Sequence, residues 1–163
     1  MEGIMHARTI TGAGALAVVT LLGVAVSPAD AAASTTLRTK AYEVAKAQLG
    51  DRYVWGATGP SSFDCSGLTW YAYRQAGHTW ARKTAHEQRR TQTVDITAAQ
   101  RTRGDLIFFR PKGKSVYTHV GVYSGDGKMI NAVNGRTYKG VVNRPVKDGY
   151  WDRYYVADYR RVA

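Results

Sequence analysis

The hydrophobic pattern of this sequence changes at Gly104, and that change constrains the fold more than any other feature. Before Gly104, apolar residues recur at the three- and four-residue spacing of amphipathic helices. After it, they form short β-rich runs separated by Gly, Pro, Asp or Asn. Helices followed by antiparallel strands indicate an α+β fold, and 163 residues suffice for one ordinary domain.

Three helices and about five strands are predicted from these patterns. The helices cover residues 34–48, a segment from about Asp64 to the stop at Gly77, and a short segment through about Gln92 that opens with a capping box at Thr84 and Glu87. The strands are predicted at residues 105–109, 119–123, 128–133, 140–143 and 154–159. We therefore expect N-terminal helices packed on a central antiparallel sheet of about five strands.

Residues 1–33 have the three-part layout of a secretory signal peptide. His6 and Arg8 precede an apolar stretch over residues 13–26, and the small residues of 29–33 supply A-x-A-like cleavage sites. The apolar stretch is shorter than the about 20 residues that a membrane-spanning helix needs, although an uncleaved anchor is the alternative. We therefore expect residues 34–163 to form a secreted or wall-associated domain without a membrane span.

The mature chain is strongly basic. Loss of residues 1–33 removes Arg8, Glu2 and Asp30, which raises the formal net charge from +11 to +12. Such a charge attracts polyanions, and export favours the anionic polymers of a bacterial wall among them. No nucleic-acid motif accompanies the basic residues, so no nucleic-acid partner is expected. Alternatively, the same charge only gives the protein a well-solvated surface that keeps it soluble.

Cys65 is the only cysteine of the chain, which excludes an internal disulfide and a cysteine-rich zinc site. It lies in the first turn of the second predicted helix, where the unpaired N–H groups and the helix dipole are expected to lower the pKa of its thiol. An unpaired thiol in an exported protein indicates a reactive group, with a buried structural cysteine as the alternative. We therefore predict that Cys65 is a nucleophile.

A thiol nucleophile needs a base and a third group that orients the base. His119 opens a predicted strand and shares one of its faces with Gly121. In the hairpin that follows, a two-residue turn alone would point Asn131 away from His119. A three-residue loop at 125–127, with Gly127 in a bulge, would place Asn131 opposite Gly121 and diagonal to His119. The strand register therefore decides whether the base meets a partner.

Five segments of the chain occur in the order and spacing of the NlpC/P60 cysteine peptidases, which the chain resembles from about Thr36 to Arg160. They are Y-V-W-G at 53–56, F-D-C-S-G-L at 63–68, R-G-D-L-I-F-F at 103–109, H-V-G-V-Y at 119–123 and M-I-N-A at 129–132. The resemblance implies a papain-like α+β fold. It also implies hydrolysis of amide bonds in peptidoglycan stem peptides, typically after a D-γ-glutamyl residue, with no metal or cofactor.

The same resemblance implies a catalytic triad. Cys65 matches the nucleophile, His119 the general base and Asn131 the group that orients His119. Many members of the family have histidine at the third position. Asparagine can still accept the imidazole N–H and fix the ring, so we expect activity with a modest dependence on Asn131.

Four further residues match substrate-side positions of the family. Tyr53 matches a tyrosine that lines the site and helps to stabilise the oxyanion, and Asp64 and Ser66 match positions that flank the nucleophile. Arg82 resembles a substrate-side arginine, although the proline that usually precedes it is Ala81 here. The resemblance therefore implies substrate contacts at Tyr53, Asp64, Ser66 and Arg82.

Two other functions fit the same residues. A papain-like fold can transfer an acyl group to an amine or hydrolyse other amides of the wall, and a catalytically silent wall-binding or effector protein would keep the fold without turnover. Intact Cys65 and His119 favour an enzyme, because a pure binding protein needs neither. We expect a monomer whose partners are peptidoglycan and anionic wall polymers.

Overall fold

The computed structural model describes residues 27–162, so residues 1–26 of the signal peptide predicted at 1–33 lie outside the described residues. The helices of this part are α1 (Pro28–Ala47), α2 (Cys65–Gln75), α3 (Ala85–Thr91) and α4 (Trp151–Tyr154). The strands are β1 (Arg52–Tyr53), β2 (Ser62–Phe63), β3 (Thr93–Asp95), β4 (Leu106–Pro111), β5 (His119–Gly125), β6 (Lys128–Asn134), β7 (Lys139–Pro145) and β8 (Tyr155–Val162). The arrangement confirms the α+β class. Between residues 27 and 162, no helix has the length and apolar character that crossing a bilayer requires.

Six of these strands form one antiparallel sheet in the order β3-β8-β4-β5-β6-β7. The sequence predicted about five strands, and the additional one is β3, which has three residues and pairs with the C-terminal strand β8. A strand this short shows too few alternations for its pattern to be read from sequence. Strands β1 and β2 form a separate two-residue parallel pair in the loop before α2.

Helix α1 begins six residues before its predicted start. The side chain of Ser27 accepts a hydrogen bond from the backbone N–H of Asp30, and Pro28 occupies the first helical position. The alanines that follow have the highest helix propensity of any residue, so they extend the helix toward this cap. The predicted domain boundary between residues 33 and 34 thus lies inside α1, and the signal peptide stays a prediction.

Both faces of the central sheet are covered by apolar side chains. Leu106 and Phe108 of β4 belong to an inner cluster with residues of α1 and α2. Ile107 and Phe109, which alternate with them, belong to an outer cluster that includes Trp151 of α4. Helix α2, which begins at Cys65, is therefore fixed against the inner face.

The hairpin of β5 and β6 takes the register that brings Asn131 toward His119. The observed pairs include Val122 with Ile130 and Tyr123 with Met129. This register places Gly121 opposite Asn131, which is the pairing that the three-residue loop predicted. The bulge lies between residues 123 and 125, however, and not at Gly127. A two-residue turn and a bulge in the preceding strand together supply the shift.

A buried ion cluster holds α1 on the sheet. Asp105, fully buried before β4, accepts hydrogen bonds from Nε and Nη2 of Arg161 at 2.8 and 2.7 Å. Nε of Arg38 in α1 lies 3.5 Å from the same carboxylate. A Cβ at Gly104, whose φ is +90°, would lie 2.2 Å from the backbone oxygen of Arg38. The Gly104-Asp105 pair therefore joins α1, β4 and β8.

Candidate active site

Asp64 fixes the position of Cys65 by capping helix α2. Its Oδ1 accepts hydrogen bonds from the N–H of Gly67 at 2.6 Å and from Oγ of Ser66 at 3.0 Å. Its Oδ2 accepts the N–H of Gly56 at 2.9 Å. One carboxylate thus holds both the first turn of α2 and the loop before it, and the nucleophile candidate lies between these two anchored segments.

Arg82 completes a cluster with Asp64 and Ser66 beside Cys65. Its Nη2 lies 2.9 Å from Oδ2 of Asp64, and its Nη1 donates to Oγ of Ser66 at 3.0 Å. The side chains of Asp64 and Ser66 are buried, whereas that of Arg82 is 32% exposed. Three of the four predicted substrate residues therefore lie together as hydrogen-bond partners of one another, and their contact with substrate stays a prediction.

The Cys65 thiol is half-buried against the inner apolar cluster. Burial and the neighbouring Asp64 carboxylate raise the pKa of the thiol to about 11, although the backbone N–H groups of Val120 and Ser66 and the charge of Arg82 lower it. The expected lowering of this pKa by the helix N-terminus is therefore wrong, because desolvation and a neighbouring negative charge outweigh the N–H groups. At neutral pH Cys65 is a thiol that needs a base.

His119 and Asn131 form the hydrogen bond that the register predicted. Nε2 of His119 lies 3.0 Å from Oδ1 of Asn131. Asn131 is fully buried, and its Nδ2 donates to the carbonyl of Val142 at 3.4 Å, which leaves Oδ1 as the acceptor for the ring. An amide oxygen only accepts, so in the neutral ring Nε2 carries the proton and Nδ1 holds the lone pair.

Gly121 leaves room for this hydrogen bond. A Cβ at this position would lie 3.1 Å from Cβ of Asn131 and 3.0 Å from Sδ of Met129, both closer than ordinary van der Waals contact. A side chain at this position would therefore press on two side chains of the neighbouring strand. The missing side chain of Gly121 leaves the path between His119 and Asn131 that the sequence indicated.

Trp151 stacks on His119, and the sequence analysis did not identify it. The two ring centroids are 4.7 Å apart with planes at 20°, and Trp151 also packs on Phe109 at 4.4 Å. Burial lowers the pKa of His119 to about 4, although the hydrogen bond to Asn131 raises it. The aromatic run of residues 150–155 was the available signal, but only the tertiary fold shows that it covers the base.

The backbone of β5 connects the two catalytic candidates. Val120 follows His119 directly, and its backbone N–H lowers the pKa of the Cys65 thiol. Within residues 27–162 the imidazole makes its side-chain hydrogen bond to Asn131 and none to the sulfur. Catalytic hydrogen bonds are often loose before substrate binds and tighten in the complex. The structure thus places thiol and imidazole at one strand end without a direct bond.

A cleft of about 790 Å³ opens on the His119 side of the site. Its walls come from the first residues of β5, the end of β6, the turn before β7 and helix α4. Tyr53 lines this cleft, whereas Asp64, Ser66 and Arg82 do not. Burial raises the pKa of Tyr53, and the nearby Cys65 and Asp64 act in the same direction. The Tyr53 hydroxyl is therefore protonated at neutral pH and can donate a hydrogen bond.

The site offers a thiol, a neutral imidazole, a buried amide and a phenol. These are the groups that nucleophilic attack and proton transfer require. Over the described range 27–162, no group of three or more His, Cys, Asp or Glu side chains is arranged to hold a metal ion.

Comparisons with known sequences agree with one another. The NlpC/P60 family profile matches residues 50–160. The chain is 37% identical over 115 residues to the murein DD-endopeptidase MepH of Escherichia coli, a match that covers 69% of this chain and 42% of that protein. It is 40% identical over 111 residues to the bifunctional muramidase/DL-endopeptidase CwlT of Bacillus subtilis, covering 66% and 32%. The match thus spans less than half the length of either relative.

Solved structures show the same fold. An NlpC/P60 family protein from Bacillus cereus superposes with a TM-score of 0.66 at 31% identity, over 77% of this chain and 40% of that chain. RipD from Mycobacterium tuberculosis, described as a non-catalytic NlpC/p60 domain protein adapted to peptidoglycan binding, superposes with a TM-score of 0.61 at 24% identity, over 78% and 98%. At that lower identity, the second likeness shows the fold alone.

Proposed function

Because this chain belongs to the NlpC/P60 family, we propose that it is a secreted cysteine endopeptidase that hydrolyses amide bonds in peptidoglycan stem peptides, after a D-γ-glutamyl residue. The observation that carries the proposal is the 3.0 Å hydrogen bond between His119 and Asn131, beside the half-buried thiol of Cys65. This bond orients a neutral base whose free Nδ1 can receive a proton. The names of the relatives support peptidoglycan as the substrate class. The DL-endopeptidase name fits the proposed bond, whereas the DD-endopeptidase name refers to a bond between two D-residues.

The mechanism starts from an uncharged pair. The pKa of Cys65 is raised to about 11 and that of His119 is lowered to about 4, so both groups are neutral near pH 7. Nδ1 of His119 removes the thiol proton as the sulfur attacks the scissile carbonyl carbon. The imidazolium then gives this proton to the departing nitrogen, the C–N bond breaks, and a thioester remains on Cys65.

Water completes the reaction. Nδ1 of His119 takes a proton from the water, whose oxygen attacks the thioester carbonyl, and the C–S bond breaks. The sulfur recovers its proton from His119, and the product leaves with a new carboxylate. Throughout both steps, Oδ1 of Asn131 accepts a hydrogen bond from Nε2–H of His119. This bond favours the imidazole orientation that both proton transfers need.

Hydrogen-bond donors near Cys65 stabilise the oxyanion of both tetrahedral intermediates. The backbone N–H groups at the start of α2 are fixed by the Asp64 cap. The Tyr53 hydroxyl stays protonated because burial raises its pKa. Fixed donors of this kind stabilise developing negative charge more than water does, since they need no reorganisation.

Export and positive charge fit a substrate in the cell wall. The predicted signal peptide would deliver the domain outside the cell, and the +12 charge would hold it on anionic wall polymers.

Cleavage of a synthetic stem peptide that contains a γ-D-glutamyl–diamino acid bond tests the proposal. We expect the wild type to release the diamino acid portion, and Cys65→Ser and His119→Ala to leave the peptide intact. An added amine separates hydrolysis from acyl transfer, because transfer would incorporate the amine into the product mass. Binding of the peptide by the wild type without turnover would contradict the proposal and favour a wall-binding protein.

A further inference from the structure

Asp148 joins strand β7 to the segment that covers His119. Its Oδ1 accepts hydrogen bonds from the backbone N–H groups of Tyr150 at 3.0 Å and of Trp151 at 3.2 Å. Its other oxygen, Oδ2, accepts a hydrogen bond from Nη2 of Arg144, near the end of β7. The Asp148 side chain is only 12% exposed, so water competes little for these bonds. The two oxygens of one carboxylate therefore tie Trp151 to the central sheet.

Arg144 is the anchor of this tie. Its guanidinium lies 4.1 Å from the ring of Tyr138 and 5.5 Å from the ring of Trp151, and its side chain is 9% exposed. A charge buried to this extent needs a partner of opposite charge. Among residues 27–162, Asp148 is the carboxylate that pairs with it. The ion pair thus fixes Asp148 beside the rings of the cleft wall.

The indole of Trp151 depends on its backbone for its position. It stacks on His119 and packs on Phe109 and Tyr155, the last at 4.9 Å between ring centroids. Its Nε1–H is buried and has no hydrogen-bond partner among residues 27–162. Packing and the backbone bond to Asp148 therefore hold the ring, without a polar contact from the indole itself.

We propose that Asp148 is a positioning residue for catalysis, which keeps the indole of Trp151 stacked on His119 by holding the backbone at Tyr150 and Trp151. The stacked indole excludes water from one face of the imidazole, while Asn131 fixes the ring at Nε2. A catalytic group is held precisely only when its neighbours are themselves fixed. The inference rests on the proposed function, in which His119 is the base.

The groups around His119 determine what loss of the stack would do. Burial is the main cause of its lowered pKa and outweighs the hydrogen bond to Asn131. Among charged groups, Arg144 from β7 lowers this pKa further, and Asp64, before α2, raises it. The tyrosines of the same cleft, which are uncharged at acid pH, are Tyr53, Tyr150 and Tyr155. Displacement of the indole should therefore raise the pKa of His119, because water would then solvate the imidazolium.

Two variants of Asp148 that lose the same charge test the proposal. Asp148→Asn keeps an oxygen that can accept the two backbone N–H groups, whereas Asp148→Ala has none. Both variants leave Arg144 without its carboxylate, so a difference between them reports the acceptor alone. Each is combined with Cys65→Ala, which removes the neighbouring thiol, and the ring signals of His119 are followed by NMR across the acid range.

The ring of His119 should distinguish the two variants. In Asp148→Ala its protons should lose the upfield shift that a stacked indole causes, and its pKa should lie about one unit above that in Asp148→Asn. With Cys65 present, kcat/KM for a stem peptide should be about tenfold lower in Asp148→Ala than in Asp148→Asn. If Asp148→Ala does not fold, Asp148→Leu, which fills more of the space but also lacks an acceptor, replaces it.

Asp152→Ala is the matched control. Asp152 is exposed, and its Oδ1 accepts the N–H of Gly149 at 2.8 Å in the same turn, but Asp148 and not Asp152 bonds Arg144 and the N–H of Trp151. Its removal should leave the His119 signals as they are in Cys65→Ala alone.

The outcomes separate the positioning role from the proposed function. Equal ring shifts and pKa values in Asp148→Ala and Asp148→Asn, or the same change in Asp152→Ala, would overturn the positioning role, even if the melting temperature falls. The proposed function would then stand as long as the wild type cleaves the stem peptide. A wild type that cleaves no stem peptide would overturn the proposed function, and with it the catalytic role assigned to Asp148.

Discussion

At the scale of single residues, desolvation sets the chemistry of the site. It keeps the thiol of Cys65 and the imidazole of His119 uncharged at neutral pH. The buried Asn131 amide then decides which ring nitrogen carries the proton. In the proposed mechanism Cys65 and His119 take part in bond making and proton transfer, whereas Asn131 only orients, so activity should depend on the three residues to different extents.

Replacement of Asn131 should show this difference. Asn131→Ala is expected to lower kcat/KM by about 10- to 100-fold, because the imidazole remains but loses its fixed tautomer and orientation. Cys65→Ser should lower it by about 10⁴-fold or more, since the attacking thiol is lost. Both are measured as hydrolysis of a synthetic stem peptide. Equal losses in the two variants would count against a purely orienting role for Asn131.

The pH dependence of activity should follow the lowered pKa of His119. Below this pKa the ring is protonated and cannot accept the thiol proton, so activity is lost as pH falls and is present above it. The acid-side midpoint of kcat/KM should therefore lie well below the ordinary histidine value of about 6.5, near the folded-state value of about 4. Initial rates across the acid range measure it, and a midpoint above the ordinary value would contradict this protonation scheme.

The sequence predicted the partners of the site better than their protonation. Period-two alternation left two hairpin registers open, of which the structure has the one that brings Asn131 toward His119, with the bulge at a different position from the one predicted. The direction of the Cys65 pKa shift could not be read from its helix position, because burial depends on β5 packing over the start of α2. Trp151 was missed for the same reason, since its contact with His119 joins segments 32 residues apart.

At the scale of elements, the β5–β6 hairpin and helix α4 together position the base. The hairpin sets the distance between His119 and Asn131, and α4 covers the imidazole with Trp151. The glycine and turn residues between the two strands predicted the hairpin from the sequence. Helix α4 has four residues and no side-chain cap, so its sequence carries no signal that a helix begins there.

Gly121→Ala tests the role of the hairpin. The added Cβ would press on Asn131 and Met129, at 3.1 and 3.0 Å. We expect a loss of about 1–3 kcal/mol in the free energy of unfolding and a fall of about tenfold in kcat/KM, because the displaced amide no longer holds the ring. Urea unfolding and peptide hydrolysis measure the two effects. Full activity in a destabilised variant would show that the close approach matters for packing alone.

Replacement of Trp151 tests the role of α4. In Trp151→Leu the imidazole loses a stacked, desolvating neighbour, so the pKa of His119 should rise toward its ordinary value. The acid-side midpoint of kcat/KM should move to higher pH. In Trp151→Phe the midpoint should move less, because an aromatic ring still covers the imidazole. A merely structural role would lower the melting temperature of both variants and leave the midpoint in place.

At the scale of the whole molecule, the six-stranded sheet positions the candidate site, and the net charge of the chain is strongly positive. The segregation of helical and strand patterns was enough to predict the α+β class, whereas the short edge strand β3 was not visible. The Asp105 cluster then joins α1 to β4 and β8. This framework holds the cleft and the nucleophile on a single unit that carries a large excess of positive charge.

Binding to purified cell walls should depend on this charge. Between about 50 and 500 mM salt, the bound fraction should fall steeply, because salt screens the attraction between exposed basic residues and anionic polymers. Sedimentation of walls with the Cys65→Ala variant measures binding without cleavage. Retention that does not change with salt would contradict electrostatic binding to the wall.

The most direct test of the central claim is the digestion of purified peptidoglycan, with mass analysis of the soluble products. The wild-type protein should release new muropeptides whose masses correspond to cleavage after the D-γ-glutamyl residue, and Cys65→Ala should release none. Product profiles that are identical for the two proteins would contradict a Cys65-dependent endopeptidase.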